Sequence, residues 1–208
     1  MLARHVILRP KSCRRGVPEP RVLFWPVRLS LNLDYATRFM SSQTQLESVI
    51  NGLRRSRVFT RKFLVGLTPE EWFWSPPSFT THIAWQVAHV AVAQYSLCLR
   101  RVRGRTVEDE SLIPDAFIEA YTLGSQPQPG AENNLPIEEI RGVLDAVQEQ
   151  VLAELPTFTE AAMDVALEQP HPIFKTKLDA IEWAPQHELV HAGQIAMLRR
   201  LMGKPPLR

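Results

Sequence analysis

Four stretches of about twenty residues carry apolar side chains at three- and four-residue spacing, and none shows the strict alternation of a strand. The first runs from about Ser42 to Leu67, with Leu46, Ile50, Leu53, Phe63, Leu64 and Leu67 near helical spacing and Arg or Lys between them. The second starts near Thr80 or Thr81 and runs to about Arg101 as THIAWQVAHVAVAQYSLCLRR. It is apolar on most sides, which predicts the most buried helix. The third covers Pro136 to Leu155, with Ile140, Leu144, Val147, Val151 and Leu155 on one stripe. The last covers Lys177 to Met202 and stops at Gly203 and Pro205–Pro206. Pro185 lies inside that pattern and predicts a kink, or the true start of the helix. Helices of this length are roughly 30 Å long, and four of them make an all-α four-helix bundle.

The connections are equally legible. In LTPEEW, Thr68 can cap, Pro69 suits the first helical position and Glu71 completes a capping box, so a short helical turn should end at the prolines of Ser75–Pro77. The segment from Val102 to about Leu135 holds a short helix at Asp115–Tyr121 and the breaker run GSQPQPGAENN. Loops this long are usually lids or crossovers.

Apolar residues make up 45% of the 208 and charged residues 22%, which excludes collagen-like, coiled-coil and wholly disordered chains. Two cysteines, Cys13 and Cys98, exclude a disulfide scaffold and a four-cysteine zinc site. No apolar run approaches the roughly 18–20 residues that span a bilayer. Charge is unevenly placed. Eight of the 24 cations but two of the 22 anions fall in residues 1–39, leaving 16 cations and 20 anions for the rest. The chain therefore divides into a basic, proline-containing tail, 1–39, and a mildly acidic helical body, 40–208. The tail reads as a targeting peptide, a nucleic-acid arm, or the product of an upstream start, with translation beginning at Met40. We favour the last, because the ordered pattern begins just after Met40 and the tail has no apolar core of a secretory signal. The expectation is a cytoplasmic protein with no membrane partner.

The body carries five histidines: His82, His89, His171, His187 and His191. His187 and His191 are four apart, which puts both rings on one helix face, one turn apart. Two imidazoles so placed can share a metal ion, or can simply be surface or satisfied core residues. His89 sits among Val87, Ala88, Val90 and Ala91, so a buried ring there needs a partner: a metal, a carbonyl or a tyrosine. His82 lies seven before His89, either as a spare ligand or acid/base group or as a helix-start residue near solvent. His171, between two prolines, should be exposed. Gln86, Glu188 and Gln194 are candidate acceptors for the second ring nitrogens. Trp85 is a candidate pocket wall. Cys98 falls on roughly the opposite side of its helix from His89 and reads as a buried, inert thiol. HELVH formally matches H-E-x-x-H, but a zincin also needs a supporting sheet and a downstream ligand, and neither is visible.

The run HAGQIAMLRRLMGKPP after His187 and His191 resembles the closing helix of the DinB/YfiT-like superfamily. TPEEWFWSPP followed by IAWQVAHVAVAQYSL resembles that family's Trp–Pro turn and second helix, so the resemblance covers about residues 41–208. It implies a four-helix bundle in an up-up-down-down arrangement with a long crossover, often dimeric. It also implies a divalent metal (Ni, Zn or Mn) held by one histidine of the second helix and two of the last, here His89, His187 and His191. Relatives include transferases that use bacillithiol, mycothiol or glutathione, a mycothiol-dependent maleylpyruvate isomerase, and proteins labelled as hydrolases. The resulting expectation is a metal-dependent enzyme, a homodimer, that activates a thiol or water against a small-molecule substrate, with a low-molecular-weight thiol as a second cofactor. The alternative is a non-catalytic, metal-binding or stress-associated bundle. Nucleic-acid binding rests only on the tail and the family's historical link to DNA damage, and is disfavoured.

Overall fold

The computed structural model describes residues 42–77, 81–168 and 171–206. The three readings of residues 1–39, and the possible helix start at Thr80, lie outside the described residues. Among the described residues four helices are long: α1 (Ser42–Leu64), α2 (Ile83–Tyr95), α3 (Ile137–Glu154) and α4 (Lys177–Leu201). Beyond Tyr95, α2 continues through a π-helical turn at Ser96–Arg100 and a last turn at Arg101–Arg103. Short helices occupy Pro69–Trp72 and Asp115–Tyr121. No strand occurs among the described residues; an isolated bridge joins Ala166 to Thr176. The all-helical bundle expected from the apolar spacing is the fold.

Local chemistry explains the boundaries. His82 caps α2, its Nδ1 accepting from the Trp85 amide at 3.1 Å. Thr176 caps α4: its hydroxyl accepts from the Asp179 amide at 3.1 Å, and Asp179 accepts in return from the Thr176 amide at 3.0 Å. Glu71 accepts from the Thr68 amide at 2.7 Å in the turn before the prolines. Gly203 ends α4 with φ +81°, a left-handed geometry that glycine adopts without a Cβ penalty. Pro185 does not start α4, which is helical from Lys177. Its ring packs on Gly52 of α1, where an added Cβ would lie 3.2 Å from Pro185 Cβ and Cγ. A glycine there lets the two helices approach closely.

Pairs between helices set their directions. Along α1 and α4 the pairs Gly52 with Pro185, Arg57 with Glu188 and Phe63 with Arg199 advance together, so these helices run the same way. Between α2 and α4, Gln86 meets His191 while Val102 meets Lys177, so these run oppositely. Between α1 and α3, Leu53 meets Gln148 and Arg57 meets Leu144, again oppositely. Arg103 and Glu154 join the C-terminal ends of the α2 segment and α3, which run in parallel. Taken along the chain, the directions are up, down, down, up, where the up-up-down-down expectation gives the first two helices one direction. The physical reason is connection length. The segment holding the Trp–Pro turn carries the chain to α2, which packs against α3 and α4 rather than against α1, whereas the parallel pair α2 and α3 needs the long crossover between them.

Eleven of the thirteen residues of Ile83–Tyr95 are buried, so α2 is the central helix its composition predicts. Leu53, Val87, Ala91, Ile140, Val147, Val151, Ile181 and Ile195 fill the core around it. Inside that core lies a polar knot. Arg57, 3% exposed, donates from Nε to Glu188 at 2.8 Å, from Nη1 to the Leu144 carbonyl at 2.8 Å and from Nη2 to Gln94 at 2.8 Å. Ser56 donates to the same Glu188 carboxylate at 3.2 Å. One guanidinium thereby ties α1, α2, α3 and α4 together. Removing one member of a buried pair leaves the other charged and unpaired, at a cost of about 3–5 kcal/mol. Arg57→Leu should therefore lower unfolding stability by about that much in chemical denaturation, and Arg57→Leu combined with Glu188→Leu should recover most of it.

Candidate metal centre

His89 comes from the middle of α2, and His187 and His191 from successive turns of α4. One ring nitrogen from each histidine lies within 4.8 Å of the others. Ring centroids are 5.3 Å apart for His89 and His187, 4.8 Å for His89 and His191, and 4.4 Å for His187 and His191. The helix spacing alone explains the α4 pair, because i and i+4 side chains stack on one face. The third ring arrives because α2 packs on α4 with Gln86 opposite His191.

Two of the three rings are oriented by bonds behind them. His89 Nδ1 bonds the Tyr121 carbonyl at 2.7 Å, so this nitrogen carries the hydrogen and Nε2 keeps a bare lone pair. His191 Nδ1 bonds Gln86 Oε1 in the same way. The Gln86 amide is itself turned by its Nε2, which donates to Thr81 Oγ1 at 2.8 Å. Both rings therefore present Nε2 to the shared space. His191 Nε2 lies 3.2 Å from His187 Nε2. Without a metal ion His187 donates its proton across that gap, and a cation can replace the proton. Three imidazole donors, two of them with hydrogen bonds fixing their tautomers, match the donor chemistry of zinc or nickel. The three residues fit a divalent metal.

Electrostatics agree with neutral, ligand-competent rings. Burial, and then the neighbouring imidazole charges, push His187 down to about 4 and His191 down to about 3. Burial also lowers His89 and His82, opposed in each case by hydrogen bonds to backbone carbonyls. Trp85 stacks flat on His89, with centroids 4.7 Å apart and planes 6° from parallel, and donates Nε1–H to Ser125 at 3.1 Å. It covers one face of the His89 ring.

The remaining sequence candidates divide. Gln86 faces His191 across the helix interface rather than His89 on its own helix. Glu188 points away to Arg57 and Ser56, and Gln194 is exposed. His82 is buried, not near solvent; it caps α2 with Nδ1 and donates from Nε2 to the Gln128 carbonyl at 2.9 Å. It takes no place in the cluster. His171 is half-buried and stacked on Phe174 at 3.7 Å, rather than exposed. Cys98 is fully buried, and burial raises its thiol, so it is inert as expected. Sequence pattern does not reveal Tyr121, whose contribution is a backbone carbonyl and leaves no side-chain signal. Nor does it reveal Thr81, which acts one step removed through Gln86.

The fold and the cluster define a helical bundle with a three-histidine centre. A family model, the DinB superfamily, matches residues 52–195, and the chain belongs to that superfamily. A comparison with curated proteins gives no match.

Because the buried rings have depressed values, the unfolded chain binds more protons below about pH 6.5. The stability these rings contribute in neutral form is present above that pH and lost as pH falls toward 4 and then 3. In chelator, the melting temperature should drop steadily on acidification through this window, and His187→Gln should flatten the slope.

Proposed function

We propose that His89, His187 and His191 hold one divalent metal ion and that the protein is a metal-dependent enzyme acting on a small molecule. The observation that carries this reading is the pair of supporting hydrogen bonds, from His89 to Tyr121 and from His191 to Gln86, which aim Nε2 atoms of different helices at one point. A three-histidine donor set leaves room in the coordination shell for substrate, as in catalytic rather than closed structural sites. When bound, the metal would lower the pKa of a coordinated water to about 7 or hold a thiol as thiolate. The chain's own residues do the positioning. Tyr121 and Gln86 hold the tautomers of His89 and His191, and Trp85 shields the His89 ring. The all-imidazole set favours zinc or nickel over manganese, which prefers oxygen donors. Transfer to or from a low-molecular-weight thiol, or hydrolysis, is the reaction class we assign, in a cytoplasmic setting. No helix of the described residues is long and apolar enough to cross a membrane.

A homodimer belongs to the same proposal. Its support is the apolar outer side of α4, where Leu189, Val190, Met197 and Leu201 are about half exposed or more.

A second reading has one observation in its favour. Glu188, the carboxylate next to His187, is committed to Arg57 and is not free as an acid or base. That commitment suits a bundle that binds metal without turnover.

The test is metal uptake by the full chain. Wild type should take up one equivalent of nickel or zinc per chain, and His187→Ala or His191→Ala should abolish it. Gln86→Leu should keep the fold and weaken affinity by about 10–100-fold. Failure of the wild type to take up either metal ends the proposal. Turnover in a thiol-conjugation or hydrolase screen, lost in His191→Ala, separates the enzyme from the non-catalytic bundle.

A further inference from the structure

Beside the π-helical turn where α2 ends lies a cavity of about 660 Å³. Arg100, Arg101, Arg103, Arg105 and Lys177 line it, with Glu168 as the acid among the described lining residues. Two of these cations are neutralised. Arg103 is held by Asp109 at 2.8 Å and Glu154 at 2.6 Å, and Arg105 by Glu110 and Asp115. The other three make no ion pair among the described residues. Lys177 donates Nζ to the Val102 carbonyl at 2.6 Å, which fixes its position and leaves its charge uncompensated.

Arg101 is the most telling. Its Nε is buried and makes no hydrogen bond. A buried donor without a partner forfeits its hydration and gains nothing in return, so this end of the side chain carries an uncompensated cost. The guanidinium lies 5.7 Å from the Phe174 ring centre, a cation–π contact that covers one of its faces and holds the side chain at the cavity wall. Arg100 precedes it on the exposed side of the same turn. A π turn inserts an extra residue into the helix and re-aims the side chains around it, and such turns recur at functional sites. The hydroxyl residues Ser96 and Thr122 complete the lining.

We propose that this cavity binds the carboxylate or phosphate group of a small anionic molecule. A guanidinium edge, an ammonium and two hydroxyls are donors suited to a planar or tetrahedral oxyanion. The volume is that of a small-molecule pocket rather than a groove for a polymer. The cavity also lies toward the histidine cluster. Ser96 is seven residues past His89, about 10 Å along the helix, and Thr122 follows the residue whose carbonyl holds His89. Resting on the metal reading, the anion would then be the acidic end of the substrate. The binding itself does not depend on metal.

The experiment is calorimetric titration of the full chain with orthophosphate and, separately, with citrate, in low-salt buffer containing chelator. Saturable binding of at least one probe is expected, and the preferred probe tells phosphate from carboxylate. Arg101→Gln should weaken it by about tenfold or more, the loss expected for one charged hydrogen bond. Arg100→Gln, at an exposed position that leaves folding intact, should weaken it in the same direction. Arg61→Gln, on α1 and paired with Asp145 elsewhere, should leave binding unchanged. His187→Ala should bind the anion as wild type does, so loss of the metal centre and loss of this site are separable. No saturable binding of either probe, binding unchanged in both arginine variants, or salt-sensitive binding of duplex DNA in its place would overturn the proposal.

Discussion

Three imidazoles share one space inside a helical bundle, and burial there is tolerable only if each ring is neutral and each polar nitrogen has a partner. The Tyr121 carbonyl and the Gln86 amide meet that requirement for His89 and His191 from behind. This leaves the facing nitrogens with lone pairs and little else to bond. A divalent cation would satisfy them together, which an added water or hydrogen bond would do only in part. The depressed values of His187 and His191 follow from the same constraint, because a proton on either ring would place a charge beside its neighbours.

The rest of the bundle keeps that arrangement in register. Gly52 lets α1 sit close to α4 at Pro185, two residues before His187. One turn along, Arg57 binds Glu188, the residue between Pro185 and His191 that faces away from the cluster. The two sides of α4 therefore have different tasks: one carries the imidazoles toward α2, and the other locks the helix to α1. The crossover has a comparable double role. Its Tyr121, Ser125 and Gln128 bond His89, Trp85 and His82, three residues along the first turns of α2 and at its cap. A connection that parallel helices require for topological reasons also orients the centre and covers its side.

Much of this is legible in the sequence, because the deciding patterns are local. Helical spacing locates α1, α3 and α4 to within a few residues, and the short helix Asp115–Tyr121 is legible whole. The H-x3-H spacing by itself places two rings on one face. What escapes depends on contacts between helices. Spacing along α2 points Gln86 at the histidine of its own helix, and it bonds one on another helix. Adjacency to His187 makes Glu188 a candidate for the centre, but periodicity cannot say that Arg57 waits on the opposite side. Helix direction escapes for the same reason, since amphipathic stripes do not record which neighbour they meet. The π turn at Ser96–Arg100 sits in an apolar run where regular and widened turns have the same composition.

The direct test of the three-histidine centre is what surrounds a bound metal. An X-ray absorption spectrum of the zinc- or nickel-loaded protein should show three imidazole nitrogens at about 2.0–2.1 Å, falling to two when His89 is replaced by alanine. A shell of sulfur ligands, a shell of oxygens alone, or a spectrum unchanged by that substitution would contradict it.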